Sequence, residues 1–107
     1  MSQEFVSVLK TKDLESGKMK SVSFGNDVVC VINLGGNFYA INNVCTHEGG
    51  PLDEGTLDGF EVECPWHGAR FDIRTGEVKA PPAEQPVSTY QIKIQGDEIL
   101  IRRQPKN

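Results

Sequence analysis

Asp27-Val28-Val29-Cys30-Val31-Ile32-Asn33-Leu34-Gly35-Gly36-Asn37-Phe38-Tyr39-Ala40-Ile41 is the stretch that decides the fold. Its first half is dense in β-branched residues, and two glycines separate it from a second apolar run. A two-residue glycine link between two such runs reads as a β-hairpin. The pattern repeats outward in both directions. Phe5–Leu9 and Met19–Phe24 alternate apolar with polar residues, and Phe60–Cys64 follows an Asp58-Gly59 turn. Ala69–Ile73 stops at Arg74-Thr75-Gly76-Glu77, and Val87–Ile94 and Glu98–Arg102 flank Gln95-Gly96-Asp97. Helical periodicity is nearly absent, with room for one short turn in Thr11–Lys18. Many short strands with glycine turns imply an all-β fold, a sandwich or a small barrel.

The chain has 107 residues, enough for one domain over residues 1–107. A core this small leaves little stability to spare, so a bound metal would help it. The net charge of −4 gives no basic footprint for nucleic acid or an anionic membrane. No glycine-rich phosphate loop is present, which disfavours a nucleotide enzyme. Met1-Ser2-Gln3-Glu4 does not open a signal peptide. The longest apolar run, Val28–Ile32, is far short of the roughly 20 residues that span a bilayer. These features predict a cytoplasmic protein, monomeric when free, with no membrane contact. Three cysteines do not make a secreted disulfide scaffold, and they prompt a search for metal ligands instead.

Both histidines of the chain lie close to a cysteine, in Cys45-Thr46-His47 and in Cys64-Pro65-Trp66-His67. Sixteen residues separate His47 from Cys64. Both pairs sit in loop sequence, beside Gly49-Gly50-Pro51 and Gly68, where the backbone can bend tightly around a bound group. Unrelated surface residues would rarely fall this way, so the pattern reads as a metal site. Zinc fingers take two cysteines from one turn and two histidines from a helix, whereas here each loop offers one of each. A structural zinc module is therefore a minor alternative. A two-iron cluster with unlike ends fits better, each loop sending its cysteine to one iron and its histidine to the other. Two neutral imidazoles in place of two thiolates remove two negative charges from one end, which makes reduction easier.

Cys-x-His, sixteen residues, then Cys-x-x-His resembles the binding motif of Rieske 2Fe-2S proteins. The resemblance covers most of the chain. It implies one 2Fe-2S cluster, with Cys45 and Cys64 on one iron and His47 and His67 on the other through Nδ1. It also implies an antiparallel β-sandwich base carrying a small cluster-binding subdomain, approximately residues 43–82, with the histidine edges at the surface. Pro81-Pro82 then corresponds to a loop covering the third side of the cluster; otherwise that proline-rich segment is a stiff connector.

Departures from the family's high-potential members carry information too. Gly50 and Trp66 stand where those members place a disulfide, and Ala69 and Phe71 stand where they place a serine and a tyrosine whose hydroxyls donate to the cluster. Losing two donors leaves the reduced cluster less stabilised. The sequence therefore resembles a low-potential, soluble Rieske ferredoxin. That resemblance implies an electron carrier between a flavin- or NAD(P)H-dependent reductase and a terminal oxygenase. The alternative is a small subunit of a larger reductase such as nitrite reductase. An oxygenase itself needs a further iron on two histidines and a carboxylate, and none remain.

Three further features have competing readings. Cys30, in an apolar run, reads as a small buried hydrophobe. Trp66 either packs over the cluster or shields it and meets a partner. Residues 45–77 carry eight acidic and two basic side chains, a net of −6. That stretch, including Glu48 and Asp53, is either a solvated face or a surface that steers a basic partner.

Overall fold

The computed structural model describes residues 4–46, 49–66, 68–81 and 83–104. His47, Glu48, His67 and Pro82 lie outside the described residues. The expected hairpin is formed by β3 (Asp27–Leu34) and β4 (Asn37–Asn42), which pair antiparallel with Leu34 opposite Asn37. Gly35 and Gly36 between them have φ of 64° and 92°. Positive φ at both central positions is what such a turn requires, and glycine supplies it without steric cost.

β2 (Lys18–Phe24) flanks β3 on its other side, giving a sheet of order β2-β3-β4. A second sheet, β1-β10-β9, is built from Val6–Lys10, Glu98–Arg103 and Tyr90–Gln95. The two sheets pack over a core of Leu14, Val29, Val31, Ala40, Tyr90, Ile99 and Ile101. They are stitched along one edge by a bridge between Ile41 and Thr89 and by the Asn42 amide donating to the Ser88 carbonyl at 2.8 Å. A third sheet, β5-β6-β7-β8, holds Thr56–Asp58, Glu61–Glu63, Arg70–Asp72 and Val78–Ala80. All strand pairs are antiparallel, so the all-β expectation holds.

β3 explains the apolar run that opened the sequence. Side chains alternate across a strand, and here both faces are covered. Val29 and Val31 enter the core between the two base sheets. Cys30 and Ile32 enter a second core with Ile41, Cys45, Leu52, Val62, Cys64 and Phe71. Cys30 is thus fully buried, as its sequence context suggested, and burial pushes its thiol pKa well up.

Some boundaries differ from expectation. The short helical turn is a 3-10 turn confined to Thr11–Asp13, and another covers Leu52–Glu54. β9 begins at Tyr90 rather than Val87 because the chain before it is held otherwise. The Val87 amide donates to Gly76 and the Ser88 carbonyl accepts from Asn42. β5 and β8 carry only three residues each, too short for alternation to show in sequence.

Candidate metal centre

The first cysteine loop leaves the end of β4 and folds back on itself. The Val44 amide donates to Asn42 Oδ1 at 2.9 Å, which turns the chain. Cys45 N–H then donates to the Gly50 carbonyl at 2.9 Å and Gly49 N–H donates to the Cys45 carbonyl at 2.8 Å. Gly49 has φ of 78°, so the bend anticipated from the sequence requires a glycine there. At the neck, Asn43 Nδ2 donates to Asp53 Oδ1 and the Asp53 amide donates back to Asn43 Oδ1, both at 2.8 Å. Asn43 is buried, and this exchange satisfies its amide.

The second loop is a tight excursion between β6 and β7. The Cys64 amide donates to the Ala69 carbonyl at 2.7 Å, closing it, and Gly68 has φ of 77°. Inside, the Trp66 amide donates to Cys64 Sγ at 3.5 Å. The remaining side is linked to the proline-rich segment, where the Thr46 hydroxyl donates to the Gln85 carbonyl at 2.6 Å. Pro82 itself lies outside the described residues.

These loops bring Cys45 and Cys64 together from opposite sides. Both sulfurs belong to buried residues, and the two side chains share one core cluster. Burial raises the Cys64 thiol pKa; the Trp66 N–H opposes that, and the neighbouring Cys45 adds to it. Thiolates gathered into one buried cluster call for a cation against them. A donor pair in that position fits a sulfur-ligated iron group. Leu52, Phe71, Ala69 and Ala83 belong to the same core cluster, all nearly inaccessible to solvent.

Gly50 is where the loops touch. A Cβ there would stand 2.7 Å from Cys64 Sγ and 3.1 Å from the Trp66 ring. The indole leans on the glycine and remains 48% exposed, so Trp66 packs against the first cysteine loop while still meeting solvent. Ala69 and Phe71 are buried beside the cysteines and bring no hydroxyl.

Of the four expected ligands, the structure brings Cys45 and Cys64 together, and His47 and His67 lie outside the described residues. Sequence reasoning missed Asn42, Asn43 and Thr46. Asn42-Asn43 carries a turn signal, but partners 10 to 48 residues away are invisible to local pattern. Asp53, part of the stretch read as either a solvated or a partner-steering face, accepts from Asn43 and so is tied to the loop neck. On the far face of the third sheet, Arg70 bridges Asp58, Glu61 and Glu63. Part of the acidic stretch is thereby neutralised.

Comparison with known proteins places these features. Residues 4–91 match the model of the Rieske 2Fe-2S domain. The ferredoxin component of biphenyl 2,3-dioxygenase from Rhodococcus jostii (strain RHA1) is 38% identical over 94 residues, 88% of each chain. The solved ferredoxin of carbazole 1,9a-dioxygenase from Nocardioides aromaticivorans IC177 superimposes with a TM-score of 0.89 at 36% identity, covering 94% of this chain and 98% of that one. A ferredoxin solved in complex with its oxygenase in carbazole 1,9a-dioxygenase gives 0.90 at 30% identity, covering 98% and 100%. The chain also matches apoptosis-inducing factor 3 of Mus musculus at 39% identity, spanning only 16% of that protein's length.

Proposed function

Because the chain belongs to the Rieske 2Fe-2S domain family, we propose that it is a one-electron carrier whose cluster is held by Cys45, His47, Cys64 and His67. When bound, the cluster takes up and releases one electron at a time. The chain supplies the surroundings. Cys45 and Cys64 offer thiolates from two loops, and His47 and His67 offer neutral imidazoles. Leu52, Phe71 and Ala83 keep water from the sulfur side, and the Trp66 N–H on Cys64 Sγ offsets part of the negative charge there.

The observation that carries this reading is the meeting of two buried sulfurs from separate loops, each loop carrying one histidine in sequence. The chain is an electron-transfer component, as its ferredoxin relatives are named, rather than a catalyst. Its electrons pass to a terminal oxygenase, which the solved oxygenase–ferredoxin complex of a relative supports, and arrive from a flavin- or NAD(P)H-dependent reductase. The alternative, a small subunit of a larger reductase, is disfavoured by those named relatives. Among the described residues no helix is long and apolar enough to cross a membrane. We place the protein in the cytoplasm as a monomer, with residues 43–82 acting as the cluster-binding part of a single domain.

Iron and acid-labile sulfide analysis tests the proposal, with two of each per chain as the expected result. Reduced protein should give a rhombic paramagnetic signal of low average g. Cys45→Ser or Cys64→Ser should abolish both. A colourless protein holding one zinc would overturn the reading.

A further inference from the structure

Asn42 stands where the β2-β3-β4 sheet meets the β1-β10-β9 sheet. It ends β4, and its backbone amide is fixed by the Ser88 carbonyl at 2.8 Å. Its side chain faces two ways. Oδ1 accepts the Val44 amide at 2.9 Å, one residue before Cys45, and Nδ2 donates to the Tyr90 hydroxyl oxygen at 3.1 Å. Tyr90 in turn donates its hydroxyl hydrogen to Asp27 Oδ2 at 2.8 Å. Asp27 is also paired with Arg103 at the end of β10. Tyr90 is buried, with its ring packed edge-on against Phe24 at 5.8 Å.

The polarity of this chain of bonds is forced from its far end. A carboxylate only accepts, so the Tyr90 hydroxyl must spend its one hydrogen on Asp27. The hydroxyl can then only accept from Asn42, which turns the Asn42 NH2 toward Tyr90. Oδ1 is left facing the Val44 N–H. In the flipped amide, two donors would meet at Val44 and two acceptors at Tyr90. The Tyr90 hydroxyl and the Arg103 guanidinium, working against the cost of burial, hold the Asp27 carboxyl below its usual pKa, so it stays an acceptor at neutral pH.

We propose that Asn42 is a positioning residue for the Cys45 loop, its side chain oriented by the Tyr90–Asp27 pair of the β base. The proposal rests on Cys45 being a cluster ligand, but the device itself belongs to the protein and operates on the Val44 amide. It makes the loop's starting direction a property of the base sheets, set before the cluster is bound. Asn43, through Asp53, closes the same loop at its neck; Asn42 aims it.

The test compares Asn42→Ala, Asn42→Asp and Tyr90→Phe with the parent, in cluster-loaded protein. Hydrogen exchange at Val44 is read by mass spectrometry, and iron release by transfer to a chelator. Loss of one net hydrogen bond predicts about fivefold faster exchange at Val44 and about fivefold faster iron release in Asn42→Ala. Asn42→Asp retains the acceptor for Val44 and should recover much of the protection. Tyr90→Phe, which frees the amide to flip, should fall between Asn42→Ala and the parent. Ile99→Val, in the base core away from the loop, serves as the destabilised control and should leave both readouts unchanged. Unchanged Val44 exchange in Asn42→Ala would overturn the proposal, as would equal acceleration in Ile99→Val. If the purified parent holds no iron, the functional reading fails, while Val44 exchange still decides the positioning role.

Discussion

Replacing Gly50 by alanine places one methyl group between the two cysteine loops. The added carbon would meet Cys64 Sγ at 2.7 Å and the Trp66 ring at 3.1 Å. These two neighbours differ in their freedom to move. The indole is half exposed and can swing outward, whereas Cys64 is 3% exposed and its N–H is held by the Ala69 carbonyl. Accommodating the methyl therefore means shifting the sulfur and the loop around it. Overpacking of this kind costs about 2 kcal/mol, which for a domain of this size lowers the melting midpoint by about 10 °C. Far-UV circular dichroism on the loaded protein measures the apparent midpoint, and iron analysis reports whether the cluster is retained. Gly50→Ala should lower both. Adding Trp66→Ala should not restore them, because the sulfur contact persists once the ring is gone. A Gly50→Ala protein with full iron that melts within about 2 °C of the parent, or complete rescue by Trp66→Ala, would refute the reasoning.

Three other outcomes follow from the structure. Asp72 has its carboxyl pKa lowered from 3.8, chiefly by its hydrogen bond from Arg74 and against the cost of burial. A depressed folded-state pKa stabilises above the unfolded value and is lost as pH falls through the folded one. Denaturant titrations below about pH 4 should show a shallower acid loss in Asp72→Asn than in the parent, and identical slopes would exclude the pair. If the acidic middle third steers a basic partner, electron-transfer rates with the proposed reductase partner should fall as salt rises above roughly 0.1 M. Glu54→Lys, at an exposed position, should slow association further, whereas Asp53 is a poor probe because it also closes the loop. With Ala69 and Phe71 buried in place of hydroxyl donors, film voltammetry should give a potential near the lower end of the roughly −150 to +300 mV Rieske range. A strongly positive value would show that other donors have taken their place.

How much of this was legible depends on the range of the interactions. The β3–β4 hairpin is readable because its signal is local: two glycines between dense β-branched runs. Cys45 and Cys64 are readable because sulfur and imidazole at short spacing are rare in loop sequence. Val87–Thr89 looked like strand from its composition, yet its hydrogen bonds go to Gly76 and Asn42, partners no local pattern reveals. Gly50 suggested bending freedom, but its φ is not positive, and its role is close approach to Cys64. Asn42 is the sharpest case. Its importance comes from Tyr90, 48 positions later, and from Asp27 behind it.

The Asn42–Ser88 hydrogen bond fixes where the cysteine-bearing segment leaves the base and where it comes back, at adjoining points on one edge. Such a segment can be treated as a cassette. A short turn joining those two points should let the six base strands close without it, and the excised piece should be transplantable onto another β scaffold with neighbouring strand ends. The graft would not travel with those ends alone. Its core is floored by Cys30, Ile32 and Ile41 of the base, so the recipient must offer a strand apolar on its outer face as well as its inner one. This requirement turns the double-sided burial of β3 into a design rule for moving a redox centre between proteins.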